Sequence, residues 1–182
     1  DIDPRYPGME VWASRNGLFT STGQELSTKP SQMNFMIWWD GDLLRELLDG
    51  TTIYKWNYQA GNVSTLFSPS GVASNNGTKA NPALSADIFG DWREELILRS
   101  SNDSQLVIYT TTIPTDHRLY TLMHDPQYRA AIAWQNVAYN QPPHPSFFLG
   151  DGMAPQPIPD INTSRAGSTI RSAPTNALQT QK

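Results

Sequence analysis

The sequence predicts an all-β domain, and three features of its 182 residues carry that expectation. Short runs rich in β-branched and aromatic residues recur along the chain. Each run is bounded by Gly, Pro, Asn, Asp or Ser, the residues that turn a chain or break a strand. With 12 Gly and 14 Pro, turns are frequent and long helices have little room.

Taken in order, the strand signals begin at Glu10-Val11-Trp12 and continue with the aromatic run Phe35 to Trp39. The next segment, Asp42 to Gly50, has helix formers at helical spacing and a Gly stop. Its position between two strand-like runs suits a strand equally, and local pattern leaves both readings open. Thr51 to Trp56 is strand-like, and Gln59-Ala60-Gly61-Asn62 has the residues of a hairpin loop. Leu96-Ile97-Leu98, residues 106–112, 119–123 and 131–134 complete the expected strands. Beyond Pro159 large apolar residues nearly vanish, so 1–159 reads as the domain and 160–182 as a Ser/Thr/Asn-rich linker or disordered tail.

Composition narrows the function. The chain has no cysteine, which removes disulfides and zinc–thiolate sites. Net charge is −4 with no basic run, which argues against a nucleic acid partner. No apolar stretch has the length of a membrane span. The chain opens at Asp1 without a Met or an apolar leader, so a targeting segment is expected to be absent or already removed.

A weak internal repeat matters most. Asp1 to Trp12 and Asp87 to Leu98 both place an Asp-rich turn, then an acid, then an apolar strand. Recurrence at about 40–50 residues is the scale of a propeller blade, which predicts a partial β-propeller of roughly three or four blades with Gly/Pro/Asp-rich turns. So few blades leave unpaired edges, so the chain reads as a piece of a larger ring. The acidic turns also offer the oxygen ligands calcium prefers. Asp1, Asp3 and Glu10 form one candidate set, and Asp87, Asp91 and Glu95 a second. Asn136, Ala138 and Asn140 alternate and offer two amide oxygens and a carbonyl. Asp40-Gly41-Asp42 is explained by a plain turn.

Longer strings carry a family likeness. Asn34 to Asp42, Asn75 to Lys79, Asp87 to Glu95, Ile108 to Pro114, Tyr120 to Asp125 and Ala133 to His144 resemble the C-terminal part of the polysaccharide lyases of family 11, the rhamnogalacturonan lyases. The resemblance implies an eight-bladed propeller with bound calcium, secreted to the cell exterior. Its implied partners are a pectic polysaccharide, rhamnogalacturonan I, and the N-terminal half of the same propeller. It matches the family's cleft to Asn76, Gly77, Thr78 and Lys79 on one loop and Tyr139 on another. An arginine of that cleft and the family's calcium-binding histidines fall upstream of the segment matching Asp1.

The chemistry implied is β-elimination: a base removes the C5 proton of a galacturonate, and the oxygen on C4 leaves. Calcium or a cationic side chain beside the uronate carboxylate stabilises the developing charge. Lys79 can act as base if burial or nearby cations depress its pKa, or it can hold the carboxylate as a cation; the base role is favoured. Tyr139 is placed to donate to the leaving oxygen or to stack on a sugar. The bland alternatives are a solvated turn lysine and a core tyrosine. His117, His124 and His144 read as structural, and Trp38 and Trp39 as buried aromatics before sugar platforms. The competing reading of the whole chain is a non-catalytic, calcium-stabilised propeller segment that binds acidic glycan.

Overall fold

Turn chemistry divides residues 1–160 into three antiparallel sheets, here seen in a computed structural model. The structure describes residues 1–26, 28–137 and 141–160, and the backbone of a short hairpin pairing Ser164–Arg165 with Ser168–Thr169. The rest of the 160–182 tail lies outside the described residues. The first sheet joins β1 (Val11–Trp12), β2 (Leu18–Phe19) and β3 (Glu25–Leu26). The second is a meander of β4 (Phe35–Ile37), β5 (Glu46–Asp49), β6 (Thr52–Asn57) and β7 (Asn62–Phe67). The third is built on β10 (Glu95–Ser100), with β11 (Leu106–Tyr109) on one side. Its other side is shared by β8 (Val72–Ala73) and β9 (Leu84–Ala86). One sheet edge is thus interrupted by an excursion through residues 74–83.

The segment Asp42 to Gly50 resolves as irregular chain followed by β5. The reason is burial on two sides. Leu47 packs with Ile2, Leu18 and Trp56, while Leu48 packs with Phe35, Ile37, Ile53, Leu96 and Leu98. Alternate residues of a strand face opposite ways and can feed two cores, whereas one helical stripe feeds one. The hairpin between β6 and β7 forms as its residues predict. The Asn57 side chain accepts from the backbone N–H groups of Gln59 and Ala60, and Gly61 takes a φ of 66°.

Two expected strands are corrected. Residues 131–134 belong to α1 (Pro126–Trp134), and 119–123 run into a 3-10 turn at Leu122–His124. Asp125 caps the helix by accepting from Tyr128 N–H, and Pro126 sits in the first turn, where its missing N–H is harmless. The helix buries Tyr128 and Ala131; Tyr128 packs with Trp38, Trp92, Leu122 and Leu149 in a third core. Each fully buried Leu contributes about 2 kcal/mol of hydrophobic stabilisation.

The sheets are chained by equivalent bonds. Arg45 N–H donates to the Asp1 carbonyl at 2.8 Å, and Glu94 N–H donates to the Trp38 carbonyl at 2.8 Å. Arg45 and Glu94 each stand just before the first residue of a central strand, so each sheet reaches back to the turn of the one before it. Among the described residues, no helix is long and apolar enough to cross a membrane.

Candidate functional site

Three glutamates open equivalent strands, and each ties down the turn that precedes it. Glu10 Oε2 accepts from the N–H groups of Ile2 and Asp3. Glu46 Oε2 accepts from Trp39 and Asp40, and Glu95 Oε2 from Ile88 and Phe89. The repeat seen in sequence is therefore real in hydrogen bonding and has a third member. Its acids serve first as acceptors for turn backbone. Asp1 accepts from Asp3 N–H and, at 2.8 Å, from Asp151 N–H; Asp3 is gripped by the Arg5 guanidinium through two bonds of 2.8 and 2.7 Å. Asp87 accepts from Gly90 N–H, Thr121 Oγ1 and Leu122 N–H, and Asp91 pairs with Arg93.

The second carboxylate oxygen distinguishes the three repeats. Continued one residue past the last paired residues, strand register brings Thr20, Lys55 and Thr110 opposite Glu10, Glu46 and Glu95. Thr110 donates to Glu95 Oε1 at 3.1 Å. Lys55 donates to Glu46 Oε1 at 2.7 Å and also meets Asp40 at 2.9 Å and Asp42 at 2.7 Å. Glu10 Oε1 is buried and, among the described residues, has no hydrogen-bond partner; Thr20 turns instead to Thr22 and to Gln24 N–H. Asp40, Asp42 and Glu46 have ligand oxygens within 4.8 Å of one another, a spacing that can hold a metal ion. That is the turn the sequence explained as a plain one, and the cation at its centre is the Lys55 ammonium. The carboxylates push the Lys55 pKa up; burial pushes Glu46 up to about 8 against the pull of the ammonium. Sequence reasoning missed Lys55 because its partners are fixed by cross-strand register rather than by spacing in the chain.

The excursion through 74–83 carries Lys79 on a 3-10 turn, Gly77–Lys79. Its base is a bridge between Asn75 and Asn81, with Asn76 Nδ2 donating to Asn81 Oδ1. Asn76 and Ala80 hold positive φ values of 60° and 50°, with Gly77 at 57° between them. For a residue with a β-carbon that conformation costs about 1–2 kcal/mol, so the loop is held in shape by what surrounds it. Asn76, Gly77 and Thr78 are exposed and Lys79 is half-buried.

What surrounds it is the end of α1. Gln135 is buried, accepts from Ser85 N–H at 2.8 Å and donates to the Ser85 carbonyl at 3.0 Å, replacing a strand neighbour with a side chain. Asn136 Nδ2 reaches the carbonyls of Pro82 and Ala83, and Asn81 Nδ2 reaches the Gln135 carbonyl. Residues 135–137 form a turn, so Asn136 does not alternate along a strand, and its amide nitrogen clamps the Lys79 loop. Tyr139, Ala138 and Asn140 lie outside the described residues. The residues on either side of that run, Val137 and Gln141, are described.

The helix is itself anchored by a buried polar network that the sequence did not reveal. Tyr128 hydroxyl donates to Glu94 Oε1 at 2.7 Å and accepts from Asp87 N–H. Glu94 also accepts from Trp38 N–H and faces the Arg45 guanidinium at 3.6 Å. Arg45 lies 3.9 Å over the Trp38 ring and contacts His144, whose pKa is lowered to about 4 by burial and then by Arg45. Trp38 and Trp39 are buried in two different cores. The third acidic turn thus holds α1, and α1 holds the loop of Lys79.

Chained antiparallel sheets, one of them interrupted by a loop that carries a lysine, define an all-β repeat domain. The chain belongs to rhamnogalacturonan lyase family 11: the model of that family's C-terminal domain matches residues 1–159. It is 63% identical to the rhamnogalacturonan endolyase YesW of Bacillus subtilis over 90% of the chain, and 57% identical to the exolyase YesX of the same organism over 88%. The crystal structure of YesW superposes with a TM-score of 0.86 at 62% identity, over 90% of this chain and 28% of that one. A Bacillus licheniformis rhamnogalacturonan lyase superposes with a TM-score of 0.86 at 58% identity, over 90% of this chain and 28% of its own. The chain spans about a quarter of the length of the curated relatives, 26% of YesW and 29% of YesX.

Proposed function

We propose that this chain is the C-terminal part of a secreted rhamnogalacturonan lyase, cleaving the rhamnose–galacturonate bond of rhamnogalacturonan I by calcium-assisted β-elimination. In this reading the three chained sheets belong to about three to four blades of an eight-bladed propeller, completed by an N-terminal half. The observation that carries it is the clamp from Asn136 and Gln135 onto the loop of Lys79, joined to membership of the lyase family. Lys79 removes the C5 proton of the galacturonate. Asn76, Gly77 and Thr78 present exposed polar groups to the same sugar. Tyr139, in the run entered from Asn136, donates a proton to the leaving C4 oxygen.

Among the described residues the metal-holding spacing falls on Asp40, Asp42 and Glu46, where the Lys55 ammonium already sits, so this reading assigns calcium to the first acidic turn. Asp1, Asp3 and Glu10 are all buried, and among the described residues Glu10 Oε1 has no donor, whereas Thr110 and Lys55 serve the corresponding oxygens of Glu95 and Glu46. Bound calcium supplies positive charge to a set of buried oxygens, or beside the uronate carboxylate.

The test is made in the intact protein that carries this chain, by the ultraviolet absorbance of unsaturated product. Removing a general base lowers kcat by about 10²–10⁴-fold, which is the loss expected for Lys79→Ala. Lys79→Arg keeps the charge and abolishes the base. A dead Lys79→Arg supports proton abstraction, an active one assigns Lys79 to carboxylate binding, and full activity in Lys79→Ala ends the proposal.

A further inference from the structure

Two backbone bonds close the turn that carries Lys79. Lys79 N–H donates to the Asn76 carbonyl at 3.2 Å, and Ala80 N–H to the Gly77 carbonyl at 3.1 Å. They work against the positive φ values of Asn76 and Ala80 on either side of the lysine, so contacts from outside the turn hold its shape. One buried amide has the reach. Asn81 is 1% exposed. Its carbonyl accepts from Asn75 N–H at 2.7 Å, which closes the base of the detour. Its side-chain Oδ1 accepts from Asn76 Nδ2 at 3.2 Å, and its Nδ2 donates to the Gln135 carbonyl at 3.4 Å. The two side-chain bonds demand opposite polarity, which an amide supplies and a carboxylate or an alkyl group does not. The neighbouring clamps grip further along the chain: Asn136 reaches Pro82 and Ala83, and the Gln135 side chain reaches Ser85. The Asn81 side chain runs from the end of α1 to the turn itself.

We propose that Asn81 is a positioning residue for Lys79: it fixes the turn to the end of α1 and so sets where the lysine stands. The proposal deepens the lyase reading and rests on it for its catalytic consequence. A reacting group displaced by about 1 Å loses about 10²-fold in rate. β8 and β9 stay paired on β10 through their own backbone bonds, so a turn that swings about its base costs rate and leaves the sheet in place.

The test uses the intact protein with Asn81→Ala, Asn81→Asp, and Asn81→Ala combined with Lys79→Ala. Aspartate keeps the acceptor for Asn76 and loses the donor to Gln135, so it breaks the helix link alone. Hydrogen exchange at the Asn75, Lys79 and Ala80 amides reads the turn directly. It is expected to quicken about tenfold or more in both single variants, with the β10 amides unchanged. The kcat for unsaturated product is expected to fall about 10²-fold in Asn81→Ala, with KM within about twofold. In the Lys79→Ala background the same change is expected to cost less than about twofold, because the group it positions is gone. Wild-type exchange in the turn, a rate loss that follows the melting temperature, or an equal loss with and without Lys79 overturns the proposal. If Asn81→Ala does not fold, Asn81→Asp is measured in its place, alone and with Lys79→Ala, and is held to the same results. The two readings fail separately: a loosened turn in a protein that makes no unsaturated product defeats the lyase and spares the anchor. Full product rate in both Asn81 variants defeats the anchor and spares the lyase.

Discussion

Replacing Lys55 by Thr gives the middle repeat the residue type found opposite the glutamate in the other two. The exchange deletes three charge-assisted contacts of 2.7–2.9 Å and leaves three carboxylates with oxygens within 4.8 Å. Glu46 has no exposed side chain, Asp40 is 16% exposed and Asp42 51%, so most of the loss falls on Glu46. Removing one partner of a buried ion pair costs about 3–5 kcal/mol. Lys55 is itself 18% exposed and Glu46 can take up a proton, which brings the expected loss to about 2–4 kcal/mol. Urea unfolding at neutral pH measures it. Millimolar calcium is expected to raise the urea midpoint of Lys55→Thr by more than that of the wild type, in which the ammonium already fills the space at this turn. A variant within about 0.5 kcal/mol of wild type, or a calcium shift equal in both proteins, refutes the role assigned to Lys55.

A β-carbon at Gly41 would collide with the Pro114 carbonyl oxygen, a backbone atom that cannot swing away, and Thr115 Oγ1 also bonds the Gly41 carbonyl. Gly41→Ala is therefore expected to lose about 1–3 kcal/mol in a urea titration, through overpacking rather than backbone strain. His144 sets a pH dependence. Its folded pKa of about 4 lies below the ordinary 6.5, so between those values the unfolded chain binds a proton the folded one refuses. Stability is expected to fall as pH drops through that window, by on the order of 2 kcal/mol after allowance for solvent screening, and His144→Asn should flatten the slope of unfolding midpoint against pH.

Much of the fold was legible because local signals and packing agree. The β6–β7 hairpin follows from Asn57 and Gly61, and β10 from its apolar run Leu96-Ile97-Leu98. The helix was missed where Ala131 to Trp134 was weighed as a short apolar run, which does not separate helix from buried strand. The decisive signals stood upstream, in Asp125 as cap and Pro126 in the first turn. The acids of the turns were recognised, yet their first service is to backbone N–H groups. The partners of their remaining oxygens come from strand register and from other sheets. Gln135 standing in for a strand neighbour at Ser85, and Tyr128 joining Glu94 to Asp87, leave no periodic trace in the sequence.

The split edge of the third sheet has a consequence for how this surface can change. β8 and β9 both rest on β10, so paired strands flank residues 74–83 on both sides. Drift at the exposed tip of the detour is thereby separated from those pairs, while Asn81, Pro82 and Ala83 stay tied to Gln135 and Asn136. Grafting a detour of different length between Ala73 and Leu84 is a direct way to reshape that surface while the pairs on β10 stay as they are.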